Sequence, residues 1–126
     1  MRTVLVTGIS TGIGKAIAEE LLNNDFFVIG SVRKDEDADI LKDKYKEKFH
    51  HVTFDVTDKK TIEKSKEKVQ TILEKNKSYL CCVINNAGVA LGGPLRYLKR
   101  FPIKTIIDST IKMVFVYYAV PTNFSL

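Results

Sequence analysis

The sequence predicts an α/β fold built on a doubly wound parallel sheet. Three observations carry that expectation. Short apolar runs alternate strictly with longer amphipathic stretches, a glycine-rich turn joins the first run to the first amphipathic stretch, and the fourth run is apolar throughout, as a strand covered on both faces by helices must be. Strands and helices alternating at these lengths require right-handed crossovers between parallel neighbours.

The elements follow in order. Thr3-Val4-Leu5-Val6-Thr7 is a compact run rich in β-branched residues, ended by Gly8, and reads as a buried strand. From Gly12 to Asn24 the apolar residues Ile13, Ala16, Ile17, Leu21 and Leu22 recur at helical spacing, with Lys15, Glu19 and Glu20 on the other side. The second strand is expected from Phe26 to Val32, a charged helix from Asp35 to Lys48, and the third strand from His51 to Asp55. Thr57 is placed to cap a helix from Asp58 to Lys75, whose inward stripe is Ile62, Val69, Ile72 and Leu73. Tyr79 to Asn85 is the fourth strand. After Gly92-Gly93-Pro94 a short helix is expected near Leu95 to Lys99. A longer one runs from Pro102 to Val120, with Ile103, Ile106, Ile107, Ile111, Val114 and Phe115 three or four residues apart. This is the first half of a doubly wound fold.

Composition narrows the class. At 126 residues the chain is one domain at most, and 44% hydrophobic with 28% charged residues describes a folded protein with a core. The net charge of +5 comes from 20 basic residues mostly interleaved with 15 acidic ones, as in Lys42-Asp43-Lys44-Tyr45-Lys46-Glu47-Lys48. Solvated helix faces are expected from that pattern rather than nucleic-acid binding. The longest apolar run, Met113 to Val120, is too short to span a membrane, and Met1 to Thr7 lacks the apolar stretch of a leader, so no membrane association and a cytoplasmic location are expected. Adjacent Cys81 and Cys82 point to opposite faces of a strand, which suits neither a disulfide nor a shared metal; they are expected as small core residues in a reducing compartment. The neighbouring His50 and His51 suggest no metal site for the same reason.

Thr7-Gly8-Ile9-Ser10-Thr11-Gly12-Ile13-Gly14 sits between a strand and a helix, where phosphate recognition requires it. Gly8 can adopt a turn conformation closed to other residues, Gly12 lets backbone approach a pyrophosphate, and Gly14 lets the helix pack closely. Such a triplet also fits a tight turn that binds nothing. Its context is more specific. The spacing Gly-x-x-x-Gly-x-Gly, the motif Asn85-Asn86-Ala87-Gly88 ending the fourth strand, and Asp55-Val56 after the third strand together resemble the short-chain dehydrogenase/reductase family, over Arg2 to about Val120.

The resemblance implies a Rossmann-like fold and a nicotinamide dinucleotide partner. Ser10, Thr11, Gly12 and Ile13 would line the pyrophosphate and adjoining ribose, behind Gly8 and Gly14, while Asp55 and Val56 would contact the adenine edge. Asn86, Ala87 and Gly88 would border the ribose and nicotinamide, with a structural tie between strand ends as the alternative role for Asn85 and Asn86. An acidic residue at the end of the second strand would bind the ribose hydroxyls of NAD. This chain has Val32 there and Arg33 next, which favours NADP(H) over NAD(H), because a guanidinium pairs with the extra phosphate. Thr11 stands where NADP-dependent relatives often carry a basic residue. The stretches Gly30 to Arg33 and Gly88 to Leu95 resemble the hydroxysteroid and retinol dehydrogenase branch.

Carbonyl reduction also needs a proton donor, which the family supplies as a Tyr-x-x-x-Lys pair on a helix and a serine on the preceding strand. Four residues after Tyr45, Tyr79, Tyr97, Tyr117 and Tyr118 stand Phe49, Val83, Phe101, Pro121 and Thr122, so no such pair is present. Asp108-Ser109-Thr110 aligns with the family's Asp-x-Asn segment, placing Thr110 at the asparagine of a proton relay. The expectation is an oxidoreductase-like, NADP(H)-binding half, one incomplete domain over residues 1–126, truncated after the helix that follows the fourth strand and inactive alone. An apolar face of the last helix invites self-association or a partner. The alternatives are a non-catalytic or partner-completed binding module and a gene fragment without function.

Overall fold

The computed structural model describes residues 1–55 and 58–88. Val56, the capping candidate Thr57, Thr110 and both helices expected after Gly93 lie outside them. Four strands, β1 (Arg2–Val6), β2 (Phe27–Val32), β3 (Phe49–Thr53) and β4 (Tyr79–Ile84), form one sheet in the order β3-β2-β1-β4, with every neighbouring pair parallel. Helices α1 (Gly12–Asn23), α2 (Asp39–Tyr45) and α3 (Lys59–Lys75) make the crossovers. Thr3 pairs with Phe27 and Val6 with Gly30, while β3 runs from Phe49 beside Val28 to Thr53 beside Val32. On the other side of β1 the register slips between Thr3 and Val4, which pair with Leu80 and Cys82, leaving Cys81 to give its thiol proton to the Thr3 carbonyl at 3.2 Å.

The period-two alternation of strand side chains divides the core into two layers. Leu5, Phe27, Ile29, Val52, Phe54 and Leu80 pack under Ile62, Val69 and Leu73 of α3. Val4, Val6, Val28, Val32 and Phe49 pack on the opposite face against Ala18 and Leu22 of α1 and Leu41 of α2. A sheet buried on both faces explains why β2 can be buried at all six positions.

Helices α1 and α3 both end with the chain turning left-handed, at Asp25 (φ 62°) and Lys77 (φ 50°). The following N–H groups of Phe26 and Ser78 reach back to the carbonyls of Leu21 and Leu73, at 3.1 and 2.9 Å. Those bonds satisfy carbonyls that the helix itself leaves open.

The structure corrects several local expectations. The charged stretch from Asp35 is not one helix: a 3-10 turn (Asp35–Ala38), α2 and a second 3-10 turn (Lys46–Lys48) share it, and Lys46 adopts a positive φ of 47°. Phe49 and His50 belong to β3, which therefore starts two residues earlier than expected. The cap of α3 is Asp58, whose Oδ1 accepts from the Lys60 N–H at 3.0 Å. On α1 the buried positions are Gly14, Ala18 and Leu22, whereas Ala16 is exposed and Ile13 is 74% exposed. Cys81 and Cys82 are exposed rather than core residues, because β4 stands at the end of the strand order among the described residues. Asn85 follows β4 instead of ending it.

Candidate functional site

The carboxyl ends of β1, β2 and β4 meet at the turn between β1 and α1. There Gly8 and Gly12 have φ of +70° and +62°, a region that a Cβ disfavours. A Cβ on Gly8 would also stand 2.8 Å from the Ala87 Cα, so the turn and the segment after β4 touch backbone to backbone. At Gly12 a Cβ would meet nothing within 4 Å, so this part of the turn faces open space. Gly14 has the opposite surroundings: its Cβ would fall 2.1 Å from the Gly8 carbonyl oxygen and 2.3 Å from Asn86 Nδ2. The helix start is thus seated closely on the turn itself.

Neighbouring strands pin this turn. Asn86 Nδ2 donates to the carbonyls of Thr7 and Gly8 at 3.2 and 3.0 Å. Thr7 Oγ1 accepts from the N–H groups of Asn86 and Ala87 at 3.0 and 2.9 Å. From the β2 side, Ser31 accepts through its hydroxyl from Gly8 N–H at 3.0 Å, and through its carbonyl from Gly8 and Ile9 N–H at 3.1 Å each. Asn86 is therefore a tie between strand ends, the alternative its sequence position left open. Thr7 and Ser31 were not singled out from the sequence. Nor was Gly30, where a Cβ would come within 2.5 Å of Ile9 Cγ1 and 3.0 Å of Phe49 Cε2; a glycine inside an otherwise apolar strand is the signal for such close approach.

Above the pinned turn, Ser10, Thr11, Gly12 and Ile13 are all exposed. Thr11 is the N-cap residue of α1, yet its side chain makes no capping hydrogen bond, and the first turn of the helix carries no acidic residue. The N–H groups there keep the positive end of the helix dipole toward solvent. Val32 is 3% exposed and packs in the core, so the end of β2 offers no polar side chain until Arg33, which is exposed. The next acidic residue, Asp35, is engaged elsewhere: its Oδ1 accepts from Thr53 Oγ1 at 2.5 Å and lies 2.9 Å from His51 Nε2. Those two contacts, the Thr53 hydroxyl first, hold its carboxyl below the usual range. Asp55 is exposed at the end of β3, its backbone joined to Thr61 Oγ1 and to the Asp58 N–H. Ala87 and Gly88 extend from Asn86 along the same rim, Gly88 exposed. Of the expected site residues, Val56 lies outside the described region. Among the described residues no group of three or more His, Cys, Asp or Glu side chains could hold a metal, and no helix is long and apolar enough to cross a membrane.

Comparison with known proteins gives this arrangement a lineage. The chain is 44% identical over 98 residues to an NADPH-dependent 3-dehydrocapnine reductase of Ornithobacterium rhinotracheale, covering 78% of this chain and 34% of that protein. It is 35% identical over 117 residues to a 3-oxoacyl-(acyl-carrier-protein) reductase of Haemophilus influenzae, covering 90% and 46%. The solved structure of ElxO with NADP bound superposes with a TM-score of 0.74 at 29% identity, over 92% of this chain and 48% of that one. The chain thus spans between a third and half of the length of these relatives. With residues 2–121 matching the short chain dehydrogenase family from the first strand onward, the chain belongs to that family.

Proposed function

We propose that this chain forms the NADP(H)-binding half of a short-chain oxidoreductase that moves hydride between the cofactor and an alcohol or carbonyl. The observation that carries the reading is the turn around Gly12, left-handed, open to solvent and followed by a helix start without a side-chain cap. A pyrophosphate fits that shape, because backbone N–H groups and the helix dipole face an approach that no Cβ blocks. Ser10, Thr11, Gly12 and Ile13 would hold it, with Gly8 and Gly14 shaping the turn. Arg33 would pair with a 2′-phosphate, Asp55 and Val56 would border the adenine, and Ala87 and Gly88 the ribose and nicotinamide, with Asn86 keeping the rim in place. When bound, the cofactor supplies hydride.

In the same reading residues 1–126 make an incomplete domain, which the coverage of only a third to half of the relatives' length supports. In this reading the cytoplasm is its compartment. The 126 residues contain no Tyr-x-x-x-Lys pair, so this chain by itself binds the dinucleotide without reducing a carbonyl. Titration of the purified chain with NADPH and NADH, followed by nicotinamide fluorescence, tests the reading. Saturable binding with NADPH the tighter ligand supports it, as does a selective loss of NADPH affinity in Arg33→Ala. Absence of binding to both at millimolar concentration refutes it.

A further inference from the structure

We infer that Thr53 and His51 are positioning residues for the cofactor specificity of this chain, clipping the Asp35 carboxylate to β3 and so keeping it from opposing a 2′-phosphate. The inference rests on the NADP(H) reading above. The sheet order puts β1 and its glycine turn on one side of β2 and β3 on the other. Asp35 opens the 3-10 turn that follows β2, two residues beyond Arg33, and is the first carboxylate after the strand. Left free, it would be a negative charge beside the guanidinium proposed to meet the phosphate, and a ready acceptor for the ribose hydroxyls that an NAD-type partner presents. The clip removes it from both roles. Thr53 stands beside Val32 in the β2–β3 register and reaches Asp35 Oδ1 through its hydroxyl, and His51, two residues earlier on the same face of β3, reaches the same oxygen. Both contacts draw the carboxylate to the strand farther from the glycine turn, while Arg33 and Lys34 remain exposed.

The prediction separates charge from architecture. In Thr53→Val combined with His51→Leu, the ratio of NADH to NADPH dissociation constants should fall about fivefold, the size expected when a unit charge moves within a Debye length of a phosphate dianion. Adding Asp35→Asn to that pair should restore the wild-type ratio, since the freed side chain then carries no charge. Asp35→Asn alone, and Thr53→Ser, which keeps the hydroxyl, should leave the ratio within about twofold of wild type on the same reasoning. Far-UV circular dichroism checks each variant for folding, and Thr53→Val alone, with a twofold to threefold fall (roughly, one of two restraints lost), replaces the double variant if that does not fold. An unchanged ratio in the folded Thr53→Val variants, or a fall that Asp35→Asn does not reverse, overturns the inference while leaving NADP(H) binding intact. A wild-type chain that binds neither dinucleotide refutes both.

Discussion

Gly12 and Gly14 stand two residues apart and should fail for different reasons when each is replaced by alanine. At Gly14 the helix propensity of alanine favours the change by up to about 1 kcal/mol. Sterics oppose it: the new Cβ would lie 2.1 Å from the Gly8 carbonyl oxygen and 2.3 Å from Asn86 Nδ2, where real Cβ contacts essentially never fall under 3.0 Å. Reaching even that limit moves the helix start off the turn by about 1 Å, an overpacking strain of about 1–3 kcal/mol. The same shift breaks the Asn86 to Gly8 hydrogen bond, leaving a half-buried amide and carbonyl poorly paired at about 1–3 kcal/mol. Gly14→Ala should therefore destabilise by about 2–4 kcal/mol net. At Gly12 the Cβ meets nothing, and only the φ of +62° opposes alanine, at about 1–2 kcal/mol. Asparagine, which tolerates that conformation, should recover most of the loss at Gly12 and none at Gly14. Urea unfolding followed by far-UV circular dichroism, with the slope checked for constancy, gives the stabilities of wild type and of each variant. A Gly14→Ala protein within 0.5 kcal/mol (about the resolution of the method) of wild type, or one more stable than Gly12→Ala, would refute the seating of α1 on the turn.

Asn86→Asp replaces a donor facing two carbonyl oxygens by a carboxylate, and should lower stability by about 2–3 kcal/mol in the same urea assay. Ser31→Ala should lose only about 0.5–1 kcal/mol, because Gly8 N–H keeps the Ser31 carbonyl at 3.1 Å; a larger loss would mean that the hydroxyl is the essential acceptor. Lys77→Gly should stabilise by about 0.5–1 kcal/mol, since the left-handed position after α3 strains a side chain there, and a lowered urea midpoint contradicts that account. His50 is half-buried beside the Phe27 ring, and burial, then the charges of Lys75, His51 and Lys42, push its pKa below the ordinary 6.5. The unfolded chain therefore takes up a proton first, so stability is full above pH 6.5 and declines as pH falls through 6.5 toward the lower folded value. Thermal unfolding from pH 7.5 to 5.5 (a window of roughly one unit about the ordinary value) should show that decline, and His50→Gln should flatten it.

The elements legible in the sequence were those whose local pattern and tertiary environment agree. β1, the glycine turn and α3 combine a strong period with a distinctive end, so their type and placement follow from the residues alone. The stretch after β2 shows the opposite case. Across Asp35 to Lys48 only Ala38, Leu41 and Tyr45 face the core, too narrow a stripe to hold a continuous helix, and α2 shrinks to seven residues. Phe49 joins β3 because it pairs beside Val28, a contact between strands that no local pattern displays. Ile13 looks like a core residue by composition, but the packing of Gly14 sets the rotation of α1 and turns Ile13 outward. At the site, the glycines were readable because a missing side chain is a visible signal. Thr7 and Ser31 were not, since a hydroxyl that accepts from another strand's backbone looks in sequence like any other hydroxyl.

The contrast between the starts of α1 and α3 favours the proposed anion site over a tight connection that binds nothing. Helix α3 caps its own N-terminus: Asp58 Oδ1 accepts from the Lys60 N–H at 3.0 Å. Helix α1 has Thr11 at the equivalent place, a residue type well suited to capping, and leaves the bond unmade. A turn selected only for connection gains about 1 kcal/mol by making that bond. The polar side chains around α1 are spent instead on the turn behind it, where Thr7, Ser31 and Asn86 fix the positions of Gly8, Ile9 and Ala87. Rigid backbone beneath, uncapped N–H groups above and no Cβ in the approach is the combination that anion binding needs, because the donors are then held in place before the ligand arrives. Stability alone would also have closed the Thr11 cap, which the chain leaves open.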